Sequence, residues 1–236
     1  MTTPSPPPWT LDGFREGAWT ILPLMPGLAA FAMAFGTVAV RKGFHLVDAL
    51  AMSATVYAGV AQLVVLETWP DRLTPPVIGG IVLVTALISS RFLLIGASLR
   101  PWLGAQPAAK MYPALFFLVE PNWLMSMRYR AAGGRDPAYL LGGGVVIYIV
   151  WVAATAAGYG LGVSIGDPHA FGLDLVMPAF FVAMLISLWR GARASVGWLI
   201  GGAAAVATDY LFGGMWYLIV GALAGSVAGG FIDDRK

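Results

Sequence analysis

Eight apolar runs separated by short polar links organise the chain. They cover about Ala18 to Val40, Leu46–Trp69, Val77–Leu99, Met111–Met127, Ala138–Ser164, Leu173–Trp189, Ala194–Thr208 and Phe212–Phe231. A helix needs roughly 20 apolar residues to cross a bilayer core. Backbone in lipid must satisfy its own hydrogen bonds, so each run predicts a helix. The runs are continuous rather than alternating, which excludes a membrane β-barrel. The fourth run is short and is interrupted by Pro113 and by Glu120-Pro121. It either crosses, which sets nine Lys and Arg against four, or enters, breaks and returns, which sets eleven against two, and the sharper bias favours the second. The fold class is therefore all-α, a polytopic transmembrane helical bundle of about seven spans plus one short re-entrant or broken element.

Composition sharpens this. The chain has 236 residues, 58% hydrophobic and 11% charged, with a mean hydropathy of +0.77. Soluble domains carry about 25% charged residues, so this chain lacks the polar surface of one. Residues 1–17 read as an irregular Pro-rich arm, 18–231 as a single membrane transport domain and 232–236 as a short polar tail. The arm lacks the basic start of a signal peptide, and Pro23 and Pro26 interrupt the apolar run before the small residues Ala30–Ala34, so no cleavage is expected. There are no cysteines, hence no disulfides, thiolate metal sites or cysteine nucleophiles.

Lysines and arginines set the expected orientation. If the fourth run is re-entrant and the other seven cross, eleven of these cations share the side of the C-terminus, and only Arg15 and Arg72 share that of the N-terminus, with Arg91 left out of both. Cytoplasmic loops hold the excess of Lys and Arg. This predicts the N-terminus outside and the C-terminus inside.

Candidate chemistry lies where polar groups interrupt the runs. Arg91 is eight residues inside the end of the third run as marked by Arg100, about 12 Å at helical rise. It either snorkels to the interface or faces a polar cavity, where a guanidinium grips a carboxylate through two parallel bonds. Glu120 precedes Pro121-Asn122, and proline frees a carbonyl one turn upstream. An acid and an amide beside unwound backbone form a midplane site in many transporters, the alternative being an interfacial glutamate at a helix end. Gln62, in YAGVAQ, is either interhelical glue or part of such a site. Asp174 opens the sixth run, where an acid suits the positive end of a helix. Pro23, Pro26, Gly59, Pro121 and Pro178 mark helix breaks. Gly221, Gly225 and Gly229 recur at four-residue spacing, a close-packing face. No HExxH, Walker motif or Ser/His/Asp set is present, His45 and His169 lie in loops, and neither enzyme activity, metal nor cofactor is expected.

The ordered segments PLMPGLAAFAMAFGTVA, MSATVYAGVAQLVV, SSRFLLIGASLRPWL, LVEPNWLM, WVAATAAGYGLG and GLDLVMPAFFVAML resemble the AzlC family, the larger subunit of branched-chain amino acid exporters of the LIV-E class. The resemblance runs from about Gly17 to Phe231. It implies a multi-pass protein of the bacterial cytoplasmic membrane that exports hydrophobic amino acids with a small multispanning AzlD-type partner. An amino acid in the membrane needs an apolar pocket, a donor for its carboxylate and an acceptor for its ammonium. Arg91 and Glu120 are the candidates for the two charges, with Gln62 and Asn122 adding hydrogen bonds. Arg91 and Glu120 can also pair with one another when the site is empty. Glu120 is the first candidate for a coupling proton, because desolvation disfavours a charged carboxylate, and Asp174 the second. No nucleotide-binding motif is present, so the energy source is expected to be an ion gradient, the substrate gradient or a separate subunit, and a secondary exporter is the first reading. The competing expectation is a non-transporting membrane assembly or regulatory subunit whose polar residues only join helices.

Overall fold

The fold is organised around a pair of long helices that run side by side. A computed structural model describes residues 9–70, 72–104, 106–164, 182, 189, 191–213 and 216–233. The sixth run, with Asp174 and Pro178, and the arm up to Pro8 lie outside the described residues. Among these residues the structure is helical and contains no strand. Two units form: Met1–Glu67 with Leu87–Pro168, and Thr68–Ala86 with His169–Lys236.

In the first unit, α1 (Leu11–Ile21) is capped by Thr10, whose hydroxyl accepts from Gly13 N–H at 3.0 Å. Pro23 sits in a 3₁₀ turn, Leu22–Leu24, and Pro26 in the first turn of α2 (Met25–Arg41). There its missing N–H leaves no bond unmade, so Leu11–Arg41 remains one 31-residue apolar element. The long helix α9 (Ala138–Ser164) has 27 residues, about 40 Å at helical rise against a bilayer core of about 30 Å. It lies parallel to α1–α2. Gly17 faces the Tyr139 carbonyl near the start, and Gly36 faces Thr155 and Gly158 near the end. A Cβ on Gly36 would lie 2.2 Å from the Thr155 carbonyl oxygen, so the backbones meet directly. Thr37 Oγ1 donates to the Gly158 carbonyl at 3.0 Å across the same crossing. At the other end Asp136 accepts from Thr10 N–H at 3.0 Å, from the Thr10 hydroxyl and from Ala138 N–H at 2.9 Å, tying the starts of α1 and α9.

Against this frame two broken helices enter from opposite ends. The first is α3 (Leu46–Thr55) and α4 (Gly59–Glu67). α3 descends antiparallel to α9. Tyr159 Oη donates to the Phe44 carbonyl at 3.0 Å, Ser53 and Thr155 hydroxyls bond at 3.0 Å, and Tyr148 Oη donates to the Ala54 carbonyl at 3.1 Å. At Tyr57 the chain adopts φ 43° and reverses. α4 then returns beside α2, and Lys42 Nζ donates to the Glu67 carbonyl at 2.7 Å. Two helices of this length laid end to end would separate Lys42 from Glu67 by about 30 Å, so this bond requires a hairpin.

The second broken element is α7 (Ala108–Phe116) and α8 (Glu120–Ala131). It enters from the end where α1 begins. Lys110 Nζ lies 5.7 Å from the centre of the Trp9 ring. The return is marked by Tyr129 stacked on Tyr139 at 4.1 Å. α6 (Arg91–Leu103) also ends there, with Trp102 Nε1 donating to the Arg135 carbonyl at 3.0 Å. Leu99, Trp102, Leu103, Ala114, Leu118 and Leu140 form the core beneath.

The re-entrant fourth run is present as expected. The second run is a correction: it does not cross but forms a second re-entrant hairpin. Among the described residues fewer than seven spans result, and four helical elements are long and apolar enough to cross: Leu11–Arg41, Pro75–Leu103, Ala138–Ser164 and Ser195–Phe212. Hydropathy cannot report a reversal made inside an apolar run, and no proline marks Tyr57. The expected side assignment changes with it. Arg100, Lys110, Arg128, Arg130 and Arg135 share the end of α1 with Arg15, opposite Arg41 and Lys42.

In the second unit, α5 (Pro75–Ser89) contributes its first residues, and α10 (Ala192–Phe212) extends the short seventh run to 21 residues. α11 (Trp216–Asp233) packs on α10. A Cβ on Gly225 would lie 3.1 Å from the Gly197 carbonyl oxygen, and one on Gly221 3.0 Å from that of Gly201. Gly229 borders the same contact, 3.2 Å from a Cβ built on Gly197. The glycine face is thus filled by α10 of the same chain.

Candidate functional site

The tips of the two hairpins meet beside Tyr148, ten residues into α9. Tyr57 of the first tip lies 5.1 Å from the Tyr148 ring and 6.5 Å from Phe116 of the second, and Phe117 lies 5.2 Å from Tyr148. This aromatic cluster is surrounded by the break in each helix. A cavity of about 450 Å³ opens here, lined by Thr55, Tyr57, Ala58, Phe92, Gly96 and Leu118 among others. Its lining is apolar apart from hydroxyls, which suits an aliphatic group.

Arg91 and Glu120 stand beside this cavity and beside each other. Arg91 begins α6, after Ser90, and Glu120 begins α8 at the second tip. Arg91 Nη1 lies 2.9 Å from Glu120 Oε1, with the side chains 31% and 43% exposed. The pair is single-pronged, and Arg91 Nε is buried without a partner. Glu120 lies at the tip of the second hairpin, three residues after Phe117. Glu120 also opens the first turn of α8, where the helix dipole favours a negative charge.

Asn122 holds the second tip together. Its Oδ1 accepts from Val119 N–H at 2.8 Å, and its Nδ2 donates to the carbonyls of Phe117 at 2.9 Å and Leu140 at 3.2 Å. It is 1% exposed. Both amide protons are spent on backbone, so Asn122 shapes the break and has no donor left for a ligand. Pro121 fits the first turn of α8 beside it. Gln62 stands in the opposite condition, fully buried with both amide atoms unpartnered. The geometry therefore groups Arg91 with Glu120, puts Asn122 in the scaffold of their hairpin, and puts Gln62 on the other hairpin. Among the described residues no cluster of three or more His, Cys, Asp or Glu side chains could hold a metal ion.

Comparison with known proteins places this arrangement. A family model described as AzlC protein matches residues 23–165, which span both hairpins, α6 and α9. The chain belongs to the AzlC family. A relative from Bacillus subtilis (strain 168), the branched-chain amino acid transport protein AzlC, is 24% identical over 212 residues, covering 89% of this chain and 82% of its own length. An uncharacterized membrane protein from Archaeoglobus fulgidus is 25% identical over 228 residues, 92% of this chain and 94% of that one. One from Helicobacter pylori is 20% identical over 213 residues, 89% and 90%. No solved structure matches the chain. This AzlC-family protein is a membrane protein with a transport role.

Several site residues escape sequence reasoning in this AzlC-family chain. Tyr148 and Phe116 read as ordinary aromatic content of apolar runs, and Tyr57 as no more than the hydroxyl of YAGVAQ. Trp151 sits mid-run rather than at an edge, the one sign that it is not an interfacial anchor. It is buried, with Nε1 unpartnered.

Proposed function

We propose that the protein is a secondary exporter of branched-chain or related hydrophobic amino acids in the bacterial cytoplasmic membrane, working with a small AzlD-type membrane partner. One observation carries this reading: an Arg91–Glu120 pair, 2.9 Å apart, at a re-entrant tip beside an apolar cavity. A zwitterionic aliphatic amino acid carries the same two charges and an apolar tail. On arrival its carboxylate takes Arg91, whose unfilled Nε permits a two-bond grip, and its ammonium takes Glu120. Glu120 also carries the coupling proton. The name of the Bacillus subtilis relative supports the substrate class, and the partner follows from the family resemblance.

Direction depends on orientation. In the first unit, Arg15, Arg100, Lys110, Arg128, Arg130 and Arg135 share one end and Arg41 and Lys42 the other. The positive-inside rule then places the start of α1 in the cytoplasm, the reverse of the orientation expected from seven crossings. The second hairpin, with Glu120, enters from the cytoplasmic side.

The test is efflux from proteoliposomes loaded with leucine or valine, with and without an imposed pH difference. Wild type should respond to the gradient. Glu120→Gln should keep amino acid binding and lose that response, since glutamine retains shape without titrating. Equal responses would move the proton to another acid, Asp174 first. A wild type that transports leucine without sensing the gradient would end proton coupling.

A further inference from the structure

Three buried polar side chains at the first hairpin have no partner within the protein: Tyr57 Oη, Trp151 Nε1 and both amide atoms of Gln62. Tyr57 is 6% exposed, Trp151 4% and Gln62 0%. Unpartnered buried polar groups are rare in folded proteins, and each calls for an explanation. Here Trp151 lies against the first residue of α4, Gln62 stands one turn further along it, and Tyr57 precedes it by two residues.

Trp151 lies on Gly59, the first residue of α4. A Cβ built there would lie 2.7 Å from Trp151 Cη2 and 3.2 Å from Cζ2. Cζ2 adjoins the carbon that carries Nε1, so the N–H belongs to the ring edge that meets the helix start. Any side chain at position 59 would push this edge away. Gln62 follows Gly59 by three residues and shares its face. Side chains on a helix lean toward its N-terminus, which directs the Gln62 amide back toward the same point. The first N–H groups of a helix have no partner inside it, and in α4, nine residues long, they belong to Gly59, Val60 and Ala61. Ala58, whose carbonyl accepts from Gln62 N–H at 2.9 Å, lines the cavity together with Tyr57. The helix start therefore borders the space in which an aliphatic group fits.

Every group in this set can donate a hydrogen bond, and none carries a formal charge. Backbone N–H groups at a helix start bind anions, and the helix dipole favours negative charge there. We infer that the start of α4, with Trp151 Nε1, the Gln62 amide and Tyr57 Oη, is an uncharged donor site for a carboxylate, namely that of an aliphatic amino acid whose side chain occupies the cavity. This rests on the transport reading. It gives the carboxylate a second resting place: Arg91 takes it at the part-exposed pair, and α4 holds it once Arg91 and Glu120 have closed on each other. A donor set without a cation can release the anion without separating an ion pair.

The probe is 4-methylpentanoate, the leucine skeleton without its amine, titrated against the purified full chain in detergent and read as a rise in melting temperature. Wild type should show saturable stabilisation, and 4-methylpentan-1-ol, of the same shape without charge, should not. Trp151→Phe keeps the ring and removes the donor; Gln62→Leu fills the same space without polar atoms. Each should weaken the apparent affinity about tenfold or more, the usual worth of a hydrogen bond to a charged group. Melting without ligand reports folding of each variant separately, and Gln62→Met serves should Gln62→Leu fail to fold. No saturable response in wild type, an equal response to the alcohol, or unchanged affinity in both site variants would each overturn the site. If 4-methylpentanoate behaves as expected while wild type moves no leucine in proteoliposomes, the transport reading fails and the carboxylate site stands.

Discussion

The two hairpins solve the same problem in opposite ways. Each brings broken backbone to the level of Tyr148 from its own side. The second is closed by its own side chains: Pro121 starts α8, and Asn122 bonds Val119, Phe117 and Leu140 around the break. The first reverses through Tyr57 at φ 43°, a conformation that costs a non-glycine residue about 1–2 kcal/mol, and leaves Gln62 and Tyr57 Oη unsatisfied. One hairpin is finished and displays an acid, Glu120, at its tip. The other is strained and has unspent donors. Local strain and unmet polar groups collect at working sites. On the proposed transport reading, the second hairpin holds Glu120 in place and the first supplies further donors for the ligand.

Removing the cap of the finished hairpin should have the largest effect. Asn122→Ala leaves a buried N–H and two carbonyls without their partner and should cost about 3 kcal/mol, read as a large fall in melting temperature. An unchanged melting point would show that the second tip does not depend on its cap. Gln62→Leu should go the other way on the unfinished hairpin, raising stability by about 1–2 kcal/mol while leucine efflux falls. A destabilised Gln62→Leu would mean that the amide is already satisfied, and the asymmetry would disappear. Arg91→Lys keeps the charge and loses the planar fork; efflux should drop about tenfold, or about 1.4 kcal/mol, with protein level intact. Full activity of both Arg91→Lys and Arg91→Ala would detach the pair from transport. Labelling disturbs least. The chain has no cysteine, so Arg41→Cys and Arg130→Cys each add a single thiol. A membrane-impermeant reagent outside the cell should reach Arg41→Cys and miss Arg130→Cys. Labelling of both from one side would refute entry of the hairpins from opposite faces.

Sequence legibility follows the same divide. Arg91 and Glu120 stand out because a charge in an apolar run is costly, and the second hairpin shows itself through Glu120-Pro121. The first hairpin has only Gly59 as a mark, which signals a helix break without signalling a reversal. Its turn is Tyr57-Ala58-Gly59, chemically ordinary in a transmembrane run, and what reveals it is tertiary: Lys42 reaching Glu67, and Ser53 reaching Thr155. Missing it inverted the expected side of every cation from Arg100 to Arg135 relative to Arg15. Asn122 was legible as a polar residue at the break, while its task of binding the backbone of α9 was not, because the Leu140 carbonyl lies 18 residues away. The glycine spacing at 221, 225 and 229 signalled close approach, and the structure supplies α10 as the surface approached.

The Arg91–Glu120 pair lies deep between two oppositely inserted hairpins, and this has an electrical consequence. Moving one elementary charge across the whole membrane involves about 2.3 kcal/mol per 100 mV. A closed pair carries no net charge, so the membrane potential does almost no work on it, and a zwitterion that replaces it leaves that balance unchanged. Neutralising Glu120 with a proton breaks the symmetry. Arg91 is then a lone cation partway through the field, worth about 1 kcal/mol per 100 mV if it sits near mid-depth. In the proposed cycle, voltage would act on the protein chiefly while Glu120 holds the proton, so the potential would set the timing of that cycle as well as its driving force.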